Sequence, residues 1–399
     1  MSFDQSLLSR RARVLGPAYR LFYDRPLHLV RGRGARVWDA EGREYLDAYN
    51  NVPSVGHCHP RVTAALAAQA QDLNTHTRYL HATVVAYAER LVATFPPGLS
   101  QVMFTCTGSE ANDLALRVAR AVTGAQGIIV TANAYHGVTA VSASMTGKPY
   151  NSVFGLPLDG FIHLTCPHYW RFGEAGETEE QFVQRLAREL EDTIAREGAD
   201  TIAGFFAEPV MGAGGVIPPA KGYFQAILPI LKKHDIPMIS DEVICGFGRT
   251  GQTWGCQTYD YMPDAIISSK NLTAGFFPMG AVILGGDLAR RVEAAVEAIE
   301  EFPHGFTASG HPVGCAIALK AIDVVMNEGL ADNVNRLAPR FEDGLKRLAE
   351  KANIGEYRGV GFMWALEAVR DKATKTPFEG TLSVSERIAN ACTDMGLIC

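Results

Sequence analysis

The chain has 399 residues, 47% of them apolar and 20% charged, with a formal net charge of −6. A single hydrophobic core seldom grows past roughly 250–300 residues, so this length predicts two domains. Acidic and basic residues are interspersed, which excludes a nucleic-acid footprint, a polyacidic tail and a disordered composition, and leaves a small molecule as the natural partner.

Eight scattered cysteines form no CxxC pair and no zinc-ligand spacing, so they read as reduced thiols and no metal is expected. The opening MSFDQSLLSRRARVLG lacks the apolar stretch of a signal peptide. No later run approaches the roughly 20 apolar residues of a membrane span, and we expect a cytoplasmic protein without membrane or nucleic-acid partners.

In chain order, ARVWDAEGREYLDAY alternates apolar and polar residues across Glu-Gly and predicts a hairpin. After the break NNVPSVGHCHPRV, helices are predicted over 61–72, behind Pro60, and over ATVVAYAERLVATF. Short apolar runs then recur at 101–106, 127–133, 204–210, 236–243, 264–269 and 280–286, with helical patterns at 109–122, 179–196 and 222–234. That alternation predicts an α/β fold with a mainly parallel sheet flanked by helices, ligands lying beyond the C-terminal strand ends. Further helices are expected in GHPVGCAIALKAIDVVMNEG, 330–349 and 382–395, with one strand at 359–369. We divide the chain into residues 1–50 contributing to a small domain, 51–300 as the large cofactor-binding domain, and 301–399 as a small α+β domain. Cys399 follows MGLI where a strand should begin, so continuation past it is expected.

The strand ends carry the chemistry. Lys270, in DAIISSKNLTAG, is either a snorkelling surface lysine or an amine kept neutral in a dry pocket to form a Schiff base. Asp241, in IPMISDEV, caps a following helix or faces a protonated heteroaromatic nitrogen. Together the two suit pyridoxal 5'-phosphate better than either suits anything alone. Gly108 and Ser109, in TCTGSEAND, open a predicted helix near Glu110; they are an ordinary cap or a phosphate seat. Tyr135 and His136, in NAYHG, are a buried aromatic beside a loop histidine or a pair around a planar ring.

These segments in this order resemble the class III aminotransferases, pyridoxal-phosphate enzymes of fold type I. The most specific is DEVICGFGRTG followed by SSKNLTAG, with TGSEAND, AYHG, AEPVMGAGG and FTASGHPVGCAIA in support, and the likeness runs from about residue 12 to the end. The resemblance implies Lys270 as the covalent attachment point and proton shuttle, and Asp241 as partner of the ring nitrogen. Tyr135 and Val243 would cover the two ring faces and Gly108 and Ser109 would hold the phosphate. Glu208 would position the cofactor network, with His136 beside the ring. It implies further that Thr307 reaches the neighbouring subunit's cofactor, making the enzyme a homodimer or a higher homo-oligomer. The expected reaction moves an amino group from a primary amine or ω-amino acid to an oxo-acid such as pyruvate.

The entrance motifs NNVPSVGHCHP and LNTHTRYLH instead resemble the branch of phospho-lyases acting on ethanolamine phosphate and related amino phosphates. Arg78, in NTHTRYLH, is either an ordinary surface arginine or the entrance residue through which a second phosphate would be read. A catalytically silent scaffold is the third alternative, disfavoured by the intact Lys270 and Asp241. The arginine that many transaminases use for the substrate carboxylate is not assignable here.

Overall fold

The computed structural model describes residues 5–95 and 98–399. Seven strands form the central sheet in the spatial order Leu99–Thr105, Gly280–Gly285, Ala265–Ser268, Met238–Asp241, Ile202–Ala207, Gly127–Thr131, Phe161–Leu164. All pairings from Ala265–Ser268 to Phe161–Leu164 are parallel. Gly280–Gly285 alone runs against both its neighbours. The mainly parallel α/β sheet expected from the sequence is therefore present, with one reversed strand.

The alternation of side chains along each strand feeds two separate cores. Ile129, Phe205, Ile266 and Ile283 pack beneath the helices Ala82–Val92, Glu179–Glu197, Tyr223–Lys233 and Pro312–Asn327. Their neighbours Ile128, Phe206, Ile267 and Val282 face the helices Gly108–Thr123 and Gly286–Val296 on the other side. Continuous apolar runs such as AIIS at Ala265–Ser268 are thus buried on both faces, as strands between helical layers must be.

Three local differences from the sequence reading have physical causes. Phe161–Leu164 is an edge strand of four residues, three of them only half-buried, and gives no apolar run to recognise. The single strand expected at 359–369 is a hairpin, Ile354–Val360 paired with Met363–Asp371 in a register that sets Val360 opposite Met363. The chain reverses at Gly361, where φ is +58° and a Cβ would lie 2.4 Å from the Arg249 carbonyl oxygen. The helix expected near Glu110 begins at Gly108, and its cap is Thr107, whose Oγ1 accepts from Glu110 N at 3.1 Å.

The early hairpin forms as expected from Arg36–Asp39 and Glu44–Asp47. Its second strand pairs in parallel with Leu397–Ile398, which sets Leu397 opposite Leu46 and joins the two ends of the described chain. Among the described residues no helix is long and apolar enough to cross a membrane.

Candidate active site

Met238–Asp241 and Ala265–Ser268 are adjacent parallel strands, with Asp241 paired to Ile267, so Asp241 and Lys270 leave the sheet side by side at its C-terminal edge. They line a cavity of about 170 Å³ together with Gly108, Ser109, Tyr135, His136, Glu208 and Val243. Eight of the nine residues assigned to the cofactor from the sequence therefore meet in one place. The ninth, Thr307, is exposed and outside the cavity of its own chain.

Burial pushes the Lys270 ammonium below the ordinary lysine range, against the opposing pull of Asp241 and Glu208 and with Arg249 acting in the same direction as burial. Half-buried and lining the cavity, Lys270 is placed as the dry-pocket alternative requires rather than at an open strand end. The backbone turns at Lys270 with φ +21°, where the strand gives way to the short helix Lys270–Thr273.

Asp241 is buried, 3% exposed, and both of its oxygens are engaged. Oδ2 accepts from His136 Nδ1 at 2.8 Å and from Asn112 Nδ2 at 2.9 Å, and Oδ1 accepts from Val243 N at 3.1 Å. No helix follows Asp241 until Gly255–Thr258, so the helix-capping alternative is not met; one oxygen serves the turn through Val243 N and the other faces side chains. His136 is buried as well, and its Nε2 has no hydrogen-bond partner.

Glu208 accepts from Tyr135 N at 3.0 Å and Gly212 N at 2.9 Å, clamping two loops together. Burial pushes its carboxyl up to about 7; His136 opposes the rise, Asp241 adds to it, and the two N–H bonds restrain it. The folded protein thus binds a proton that the unfolded chain, with its ordinary carboxyl near 4.5, releases. The sign follows: Glu208's share of stability is fully present below pH about 4.5 and is lost as pH rises through about 7. We expect the stability advantage of the wild-type apoprotein over Glu208→Gln to shrink across that window, by on the order of 2–3 kcal/mol. Glu242, which burial also pushes up to about 7, is common to both proteins and cancels. Urea unfolding at acidic and mildly alkaline pH reads the difference, and a constant gap would contradict it.

The cavity fits pyridoxal phosphate. At the N-terminus of Gly108–Thr123, Thr107 takes Glu110 N through Oγ1 and Ala111 N through its carbonyl, which leaves the N–H groups of Gly108 and Ser109 for an anion. Ser109 Oγ accepts from Val138 N at 3.1 Å, so this serine anchors the facing loop rather than capping its helix. At Gly137, with φ +136°, a Cβ would lie 2.4 Å from Ser109 Oγ and 2.5 Å from Ser142 Oγ; the turn beside the phosphate seat admits only glycine. Asp241, already holding three donors, is an acceptor-only group suited to a protonated ring nitrogen.

Asn112 was missed as a site residue although it stands in TGSEAND. Its signal was the four-residue spacing from Gly108, which puts it over the phosphate seat on the buried face of the helix. Arg78 lies away from the cavity, exposed and paired with Glu301 at 2.9 and 3.5 Å. A larger cleft of about 810 Å³ lies against Leu330–Ala349 and the Ile354–Asp371 hairpin. Its charged groups answer one another, His168 and Arg358 to Glu356 at 2.8 and 2.9 Å, and it contains neither Lys270 nor Asp241.

The chain matches the family model "Aminotransferase class-III" over residues 22–399. Among solved structures it is similar to an omega-aminotransferase from Paracoccus denitrificans, at 67% identity and TM-score 0.92, covering 98% of this chain and 91% of that one. It is also similar to a PMP-bound aminotransferase from Vibrio fluvialis, at 65% identity and TM-score 0.91, covering 98% and 90%. Gamma aminobutyrate transaminase 3, chloroplastic, from Solanum lycopersicum is 38% identical over 386 residues, 94% of this chain and 74% of that protein. With a fold-type-I sheet and a lysine and an aspartate converging at its C-terminal edge, the chain belongs to the class III aminotransferases, pyridoxal-phosphate-dependent enzymes that move an amino group to an oxo-acid.

Proposed function

We propose that the amino donor is a primary amine or an ω-amino acid, that pyruvate is the first acceptor, and that the cofactor is held covalently on Lys270. The observation that carries this reading is the desolvated Lys270 amine and Asp241 lining one cavity. Support for the donor class comes from the 67% identity with the Paracoccus denitrificans omega-aminotransferase.

When bound, pyridoxal phosphate supplies an aldehyde that condenses with amines and a ring that takes up the electron pair left on the donor carbon. The N–H groups of Gly108 and Ser109 would receive the phosphate at the positive end of a 16-residue helix. Tyr135 and Val243 line the cavity and would flank the ring, while Asp241 would hold a proton on its nitrogen. Lys270 Nζ, its proton affinity lowered by burial, would take the proton from the donor carbon and hand it back on the far side of the donor nitrogen. Glu208, tying Tyr135 N to Gly212 N, keeps the loop carrying Tyr135 in place.

Elimination of phosphate would need a second anion seat on the substrate side. Arg78, the basic residue expected to supply it, is engaged by Glu301 at the surface, which favours transfer over elimination. Ethanolamine phosphate and a panel of simple amines, each incubated with and without pyruvate, decide the matter. Transfer requires alanine that forms only with pyruvate; phosphate release without pyruvate, and no alanine from any amine, would reverse the assignment.

The exposed position of Thr307 supports a homodimeric active unit in which this residue completes the partner's phosphate seat. In a dilution series followed by light scattering, activity is expected to fall together with the dimer mass. A cofactor-loaded, fully active monomer would refute the dimer.

A further inference from the structure

We infer that Asn112 is a positioning residue for Asp241, locking the carboxylate to the phosphate-binding turn so that its one free acceptor site is aimed at the cofactor's ring nitrogen. The inference rests on the reading of Asp241 as the ring-nitrogen partner and deepens it.

A carboxylate offers about four acceptor sites. Within the protein Asp241 uses three: His136 Nδ1 and Asn112 Nδ2 on Oδ2, and Val243 N on Oδ1. One site remains for a ligand in the cavity that Asp241 lines. Which way that site points depends on the donors holding the other three.

The three donors are not equivalent. Val243 N belongs to the same turn as Asp241 and follows it wherever it moves. His136 stands in the loop after Gly127–Thr131. Asn112 alone comes from the helix whose first residues are the phosphate seat, and its Nδ2 also donates to Gly108 O at 3.1 Å. One amide nitrogen therefore ties the turn that would take the phosphate to the carboxylate that would take the ring nitrogen, the two polar ends of one rigid ligand.

The other end of the amide strengthens the case. Asn112 is 1% exposed, and its Oδ1 is buried without a hydrogen-bond partner. An apolar side chain of the same size would fill the space without leaving an acceptor unpaired. Rotating the amide would set Oδ1 against a carbonyl and a carboxylate, both acceptors, so only the observed orientation works. A residue that keeps an unpaired oxygen in the core is retained for its donor, and both of the donor's partners belong to the cofactor site.

The test uses the holoenzyme of wild type, Asn112→Ala and Asp241→Asn, loaded with pyridoxal phosphate isotopically labelled at the ring nitrogen, or with the analogue methylated there, whose ring charge is permanent. For Asn112→Ala we expect a kcat loss of about 10- to 100-fold with the natural cofactor, the range of a hydrogen bond to a charged group. The nuclear magnetic resonance signal of the ring nitrogen should move toward the unprotonated form at a lower pH than in wild type. With the methylated analogue the variant should come within about threefold of wild type carrying the same analogue. A wild-type ring-nitrogen signal, or a kcat defect that the analogue leaves unrelieved, overturns the role of Asn112, because a merely structural defect would ignore the ring charge.

Asp241→Asn separates the two levels of the argument. If its defect is relieved by the methylated analogue, the reading of Asp241 stands whatever Asn112 does. If it is not relieved, and the wild-type ring nitrogen is unprotonated, that reading falls and this inference with it. Should Asn112→Ala fail to fold, Asn112→Asp keeps the volume and can donate to Asp241 only when the introduced carboxyl is protonated. Its ring-nitrogen signal and its activity should then both decline as pH rises, and a pH profile parallel to wild type would overturn the proposal.

Discussion

Lys270→Ala is expected to lower amino transfer on the order of 10⁴-fold, the upper end of what a positioned acid–base group contributes. The full value is expected because the same amine serves twice, as the attachment point of the cofactor and as the carrier of the donor-carbon proton. Borohydride reduction of the wild-type holoenzyme should leave the cofactor's mass on the Lys270 peptide, and the variant should carry none there. An adduct elsewhere, or undiminished turnover without Lys270, would remove the basis of the proposed mechanism. The apoprotein offers a separate check with the opposite sign. Burial lowers this ammonium's pKa, so the unfolded chain binds a proton that the folded one resists between the lowered value and the ordinary 10.5. Stability rises with pH through that window. Lys270→Met apoprotein should therefore melt higher than wild type at neutral pH, and the gap should close toward pH 10.5.

Asp241→Asn is the second large effect, a loss of about 10³-fold in kcat, comparable to removing a preorganised electrostatic group from a closed site. The amide is nearly isosteric but supplies one acceptor oxygen where the carboxylate supplies two, while three donors, from Asn112, His136 and Val243, remain in place. Its nitrogen must face one of those donors, so the turn is perturbed together with the ring partner. Cofactor affinity should fall as well, measurable by titrating the apoprotein and following tryptophan fluorescence. A variant with near wild-type kcat and unchanged affinity would show that the carboxylate at this strand end serves the turn alone.

The strand-end lysine and aspartate were legible in the sequence because the signal is local. An apolar run such as AIIS or MIS with an ionisable residue at or just past its end marks a buried strand and its exit, wherever that strand lies in the sheet. The helices over 109–122, 179–196 and 222–234 were legible for the same reason, since a period of 3.6 residues is a property of a short window. The glycine and serine of TGSEAND were legible only as candidates, because a cap and a phosphate seat use the same two residues and the same free N–H groups.

What the tertiary structure alone decided are relations between distant segments. Nothing in GAVILG distinguishes a strand running against its neighbours from one running with them, because direction is set by how the connection returns. Asn112 and Asp241 are 129 residues apart, and His136 and Asp241 are 105 apart; neither hydrogen bond has a periodicity or motif that could announce it. Whether Arg78 is a surface arginine or an anion receptor was open in the sequence, and its partner there, Glu301, is 223 residues away. Short-range steric and solvation preferences write the elements into the chain, and the pairing of buried polar groups, which depends on which elements the core brings together, writes the site.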